Sequence, residues 1–126
     1  MLSDCTPIPT LATADLDRAK AFYEQTLGFD AGESQMGEEL AYRSGSGGFL
    51  VYRSQYAGTN QATSMMFQVE DFDGEVARLR EAGITFDTFD MEGMVWEDGV
   101  ALMGEAKAVW FHDPDGNIIN LMSETG

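Results

Sequence analysis

Asp15-Leu16-Asp17-Arg18-Ala19-Lys20-Ala21-Phe22-Tyr23 is echoed downstream by Asp71-Phe72-Asp73-Gly74-Glu75-Val76-Ala77-Arg78-Leu79. Each stretch opens acid, large apolar, acid and then takes up a helical rhythm. The first gathers Leu16, Ala19, Tyr23 and Leu27 on one face, and the second gathers Phe72, Val76 and Leu79. Acids crowd both first turns, where the helix dipole favours negative charge, and Gly28 and Gly83 stand where a left-handed cap closes a helix. Both stretches therefore read as amphipathic helices.

Working outward, each helix follows a strand-like run, Ile8 to Thr13 in the first half and Met65 to Val69 in the second. Further strand-like runs come after each helix: Glu39 to Arg43 and Gly48 to Arg53, then Thr85 to Asp90, Val100 to Met103, Ala106 to His112 and Ile118 to Met122. A strand-helix-strand-strand-strand unit is thus used twice, with the join near residues 57–62. The expected class is α+β, a single domain over residues 1–126 made of two tandem βαβββ modules, about 5–56 and about 62–124.

The turn Asp113-Pro114-Asp115-Gly116-Asn117 suits a type I turn with Gly116 left-handed in a bulge and Asp113 bonding back to the backbone. That register sets His112 opposite Ile118 and Trp110 opposite Asn120. Alternation then puts Trp110, His112, Ile118, Asn120 and Met122 on one face, and Val109, Phe111, Ile119 and Leu121 on the other, under a helix.

Composition narrows the function classes. With 126 residues, 44% of them hydrophobic, the chain can bury a real core. No apolar run approaches the roughly 20 residues of a membrane span, and the N-terminus lacks the basic opening of a secretory signal, so a cytoplasmic protein is expected. The lone Cys5 has no internal disulfide partner and no basic neighbour to activate it. Twenty-two acids against seven bases give a formal charge of −15, a field that repels phosphate backbones and anionic lipid and attracts cations. Nucleic acid and membrane partners are not expected; a solubilising or salt-adapted surface is the preferred account of the charge, since the acids are spread along the chain.

With the duplicated unit, the phrase from Ala14 to Tyr23 running into Leu27-Gly28-Phe29, and the closing Asp113 to Asn117, the chain resembles the vicinal oxygen chelate superfamily. That superfamily includes glyoxalase I, extradiol dioxygenases, fosfomycin-resistance enzymes and bleomycin-resistance proteins. The segment Phe49-Leu50-Val51-Tyr52 followed by residues 57–63 looks like an uncharacterised glyoxalase-like subgroup. The resemblance implies curved mixed sheets around a cup, and a homodimer.

Metal-dependent members take ligands, commonly His, Gln and Glu, from the first and last strands of each unit. Carried over by motif, those positions are Ile8, Val51 or Tyr52, Ser64 and Asn120. None is a His, Glu or Asp, so no metal site and no cofactor are expected. The cup lining expected from strand parity is Ile8, Thr10, Phe49, Met66, Gln68, Trp110 and Asn120, to which the resemblance adds Val51 and Ser64 and the Met91 to Gly99 loop adds Trp96; an aromatic ring there can stack on a planar or cationic ligand. Ordinary core packing competes with that role, above all for Phe49 and Met66. His112, the only histidine, reads as a solvent-facing polar residue, and Tyr42, Tyr52 and Tyr56 as hydrogen-bond donors or as surface or helix-facing residues. The loop from Met91 to Gly99, with Trp96 among methionines, suits a mobile flap over an apolar pocket. The function expected is metal-free binding of a small organic ligand, cationic or aromatic, in antibiotic or toxin sequestration. The alternative is a glyoxalase- or dioxygenase-like lyase or isomerase with an atypical or metal-independent site.

Overall fold

A computed structural model describes residues 1–124. A short 3-10 turn, Leu2–Asp4, precedes β1 (Thr10–Thr13) and α1 (Leu16–Lys20), which runs on into a π-helical stretch, Ala21–Thr26. Strands β2 (Glu39–Ser44) and β3 (Gly47–Arg53) complete the N-terminal half. The C-terminal half holds β4 (Thr63–Val69), α2 (Phe72–Glu81), β5 (Val95–Glu97), β6 (Val100–Met103), β7 (Ala106–His112) and β8 (Ile118–Ser123). The helices start where the sequence places them: the Asp15 carboxylate accepts from the Asp17 and Arg18 amides, and that of Asp71 from the Gly74 amide.

Two mixed sheets result, β1-β3-β2 and β4-β8-β7-β6-β5, with β1 parallel to β3 and β4 parallel to β8. The duplication is visible in the registers. Thr10, Leu50 and Ala41 lie side by side across the first sheet, and Met66, Asn120 and Trp110 across the second. In both, the segment that follows the helix makes a single bridge, Glu33 with Ala41 and Asp87 with Trp110. The expected strand from Thr85 to Asp90 is therefore corrected to that single bridge. The stretch expected as a flap takes the form of a hairpin: Val95–Glu97 pairs with Val100–Met103, turned by Asp98 and Gly99 with φ of 52° and 80°. Strand β1 starts at Thr10, two residues later than expected, and leaves Ile8 63% exposed.

One face of each sheet packs against the helices and forms a shared core. Leu11, Leu40, Tyr42, Phe49 and Val51 meet Met65, Val109, Phe111, Ile119 and Leu121 there, together with Tyr23, Val76 and Leu79. Aromatic contacts run through it, Tyr23 to Phe49 at 5.4 Å and Phe49 to Phe67 at 6.4 Å between centroids. Burying such side chains contributes roughly 1.5–3 kcal/mol each. Gly48 is required by close approach, since a Cβ there would stand 2.3 Å from the Tyr42 carbonyl oxygen.

The closing turn ties the halves together. The Asp113 amide donates to the Asn117 carbonyl and the Gly116 amide to the Asp113 carbonyl, with Gly116 at φ 83°, as a type I turn and bulge require. The Asp113 carboxylate accepts from the Asp115 and Asn117 amides, from the Asn117 side chain and, at 2.7 Å, from the Tyr23 hydroxyl. Asp115 accepts from the Thr13 hydroxyl, the Ala14 amide and Arg18, while the Asn117 side chain donates to the Ala12 carbonyl. Burial, reinforced by Asp113, raises the Tyr23 phenol far above its ordinary pKa. No helix among the described residues is long and apolar enough to cross a membrane.

Candidate binding face

The register expected for the last hairpin is present: His112 pairs with Ile118 and Trp110 with Asn120. Val109, Phe111, Ile119 and Leu121 are accordingly buried on the helix side. Trp110, His112 and Asn120 are left on the opposite, open face, where β4 contributes Ser64, Met66 and Gln68.

On that face three rings come together. Phe89 meets Trp110 at 4.9 Å and Trp96 at 5.3 Å, both edge to face, and the two indoles lie 5.9 Å apart. Each ring is delivered by a different device. Trp110 sits in the middle of β7, Trp96 pairs with Ala101 in the β5–β6 hairpin, and Phe89 lies two residues beyond the Asp87 bridge. Phe89 remains 38% exposed, and the two indoles are half-buried. Beside them opens a cleft of about 300 Å³ lined by Thr88, Phe89, Asp90 and Trp96. On the same strip Asp87 holds its carboxylate 2.9 Å from Nδ1 of the exposed His112. Sequence reading missed Phe89 and Asp87 as part of this face, although alternation along residues 85–90 puts both on one side.

The open face of the N-terminal sheet is plainer. Ile8, Thr10, Ala41 and Leu50 border a separate groove of about 440 Å³ that shares no lining residue with the aromatic cleft. Phe49 and Val51, expected in the cup, face the other way, 2% and 0% exposed in the core. Parity explains the correction: Leu11, Phe49 and Val51 alternate with Thr10, Leu50 and Tyr52, and the helices cover the first set. Tyr42 is likewise buried, its hydroxyl donating to Glu24 at 3.0 Å, and burial followed by that bond raises its phenol well above the ordinary range. Glu24 in turn is lowered, first by its bond to Lys20 and then by the Gly32 amide and Tyr42. Tyr56 is exposed, and Cys5 is exposed with its thiol on the Met1 carbonyl.

The positions that hold a metal in related folds do not fit one here. Ile8 has no donor atom, and the Ser64 hydroxyl accepts from the Asn60 side chain at 2.8 Å. Asn120 is 4% exposed and spends its amide nitrogen on the Val109 carbonyl at 3.0 Å. The register also assigns the fourth position: Leu50, not Val51 or Tyr52, stands where Asn120 stands in the second half. A leucine offers nothing to a cation.

Comparison with known proteins agrees with this architecture. A glyoxalase family protein of Bacillus anthracis superposes with a TM-score of 0.68 at 18% identity, over 95% of this chain and 96% of its own. The fosfomycin resistance protein FosX of Mesorhizobium loti gives 0.65 at 15% identity, over 95% and 92%. TnmS3, an antibiotic binding protein from Streptomyces sp. CB03234, gives 0.63 at 23% identity, over 95% and 97%. No curated protein matches the chain. The model of the Glyoxalase/Bleomycin resistance protein/Dioxygenase superfamily matches residues 7–121, nearly the full length, and the chain belongs to that superfamily.

Proposed function

We propose that this protein is a metal-free binder that sequesters a small planar or cationic organic molecule against Phe89, Trp96 and Trp110. The observation that carries the reading is the ring triad, 4.9 to 5.9 Å between centroids, held on an open sheet face rather than in the core. Rings presented this way stack on flat ligands or bind a cation by their faces, each contact contributing about 0.5–2 kcal/mol. The surrounding field supports a cation, with Asp90 at the cleft, Asp87 beside His112 and −15 over the chain. The uncharged set Ile8, Leu50, Ser64 and Asn120 favours binding without a chelated metal. A homodimer belongs to the same reading, because the exposed Ile8, Tyr52 and Met66 leave both sheet faces open to a second copy.

Isothermal titration against cationic glycopeptide and planar aromatic antibiotics tests the proposal. One-to-one binding that Trp110→Ala weakens at least about tenfold is expected, the loss of a central aromatic anchor. Silence across the panel counts against it.

A second reading rests on His112 and Asp87, whose 2.9 Å contact beside Trp110 resembles a base with its orienting carboxylate. It makes the protein a lyase or isomerase of atypical site. Turnover lost in His112→Asn while ligand affinity persists would select this reading; a stoichiometric metal surviving dialysis would overturn the metal-free one.

A further inference from the structure

We propose that the cleft between residues 27–29, which follow the π-helical stretch, helix α2 and the inner face of the C-terminal sheet is a second small-molecule site, for a compact uncharged aromatic compound. Phe29, Phe67, Phe111, Leu79 and Leu121 give it an apolar lining and a volume of about 290 Å³. At that volume the open cleft matches the lower end of small-ligand pockets, room for a compound of one or two rings. An apolar guest seated against Phe and Leu walls removes their surface from water, which favours binding.

Mouth and walls together set the ligand's charge. Arg78 and Glu75 stand there as an ion pair at 2.5 Å, and Arg78 also reaches the Leu27 carbonyl at 3.5 Å, so the two charges are spent on each other. That pair is exposed and worth little by itself, so the apolar walls, against which a charged guest would lose its hydration uncompensated, select a neutral compound. The half-buried Ser44 at the rim offers a hydroxyl, enough for one hydrogen bond.

This site is distinct from the aromatic triad. Phe111 and Leu121 alternate along β7 and β8 with Trp110 and Asn120, so the cleft lies on the other side of the same strands. The two share no lining residue. The inference therefore stands or falls independently of the proposed function.

Indole is the probe, titrated into the full-length chain and followed by backbone amide shifts. Saturable shifts at Phe67, Phe111 and Leu121 are expected. Val69→Phe fills the floor and Ser44→Trp plugs the rim from a half-buried position that does not burden folding; each should weaken indole at least about tenfold, about 1.4 kcal/mol. Trp110→Ala should leave its affinity within about twofold. The proposal is overturned if the native chain shows no saturable shift at these residues. It is equally overturned if binding survives both plugs and disappears with Trp110→Ala, which would assign indole to the open face.

Discussion

Leu11, Val51 and Leu40 form one row across the helix side of the first sheet, and Phe67, Leu121 and Val109 form its counterpart in the second. Every residue is apolar in both. On the opposite side the row Thr10, Leu50, Ala41 corresponds to Met66, Asn120, Trp110, and the likeness is gone. The C-terminal half adds the β5–β6 hairpin, which brings Trp96 to Phe89 and Trp110, while the same position in the N-terminal half has only alanine beside its Glu33 bridge. Two copies of one unit thus retain what packing demands and differ where nothing but a ligand or partner constrains them. Recognition is expected on the second copy.

The strongest test of that division is Asp113→Ala. It strands the Tyr23 hydroxyl, two amides and the Asn117 side chain in a buried seam, and should cost about 3–5 kcal/mol, read from the urea midpoint. A loss below about 1 kcal/mol would break the claim that the seam joins the halves. Next comes recognition: Trp110→Ala should reduce affinity for a planar aromatic ligand at least about tenfold, and Leu50→Ala, in the other half's open row, less than about twofold. Equal effects would move the site to the boundary of the two halves.

The seam also predicts a dependence on alkali. The Tyr23 phenol is raised in the folded protein above its ordinary value of 10.0, chiefly by burial and then by Asp113, so the fold favours its protonated form. That contribution is complete below about pH 10 and is lost as pH rises beyond it. Denaturation between pH 8 and 11 should show stability falling above about 10, with a flatter slope in Tyr23→Phe. Smallest of all, His112→Asn removes an exposed pair with Asp87 and should change stability by less than about 1 kcal/mol.

The parts of the molecule legible in the sequence are those written in local chemistry. Acid-capped amphipathic repeats announced both helices, and the Asp-Pro-Asp-Gly-Asn turn fixed the last hairpin's register and thereby the side Trp110 takes. Legibility ended where tertiary partners decide. Nothing between Met91 and Gly99 advertises that Val95–Glu97 finds β6, because three residues carry too little alternation to read. The orientation of Phe49 and Val51 depended on where β3 begins relative to its turn, and a shift of one residue reverses every side chain. Phe89 escaped because its partners, Trp96 and Trp110, come from two other strands.

Asn120 carries a consequence for the engineering of this sheet. Its side-chain nitrogen is bound to the Val109 carbonyl and lies 3.4 Å from that of Leu121, in a spot almost closed to solvent. Changing it to glutamate would not restore a chelator in one step, because the new anion would face those lone pairs in place of a donor. A carboxylate there would first have to displace those main-chain contacts, so the spot is fitted to an amide rather than to an anion.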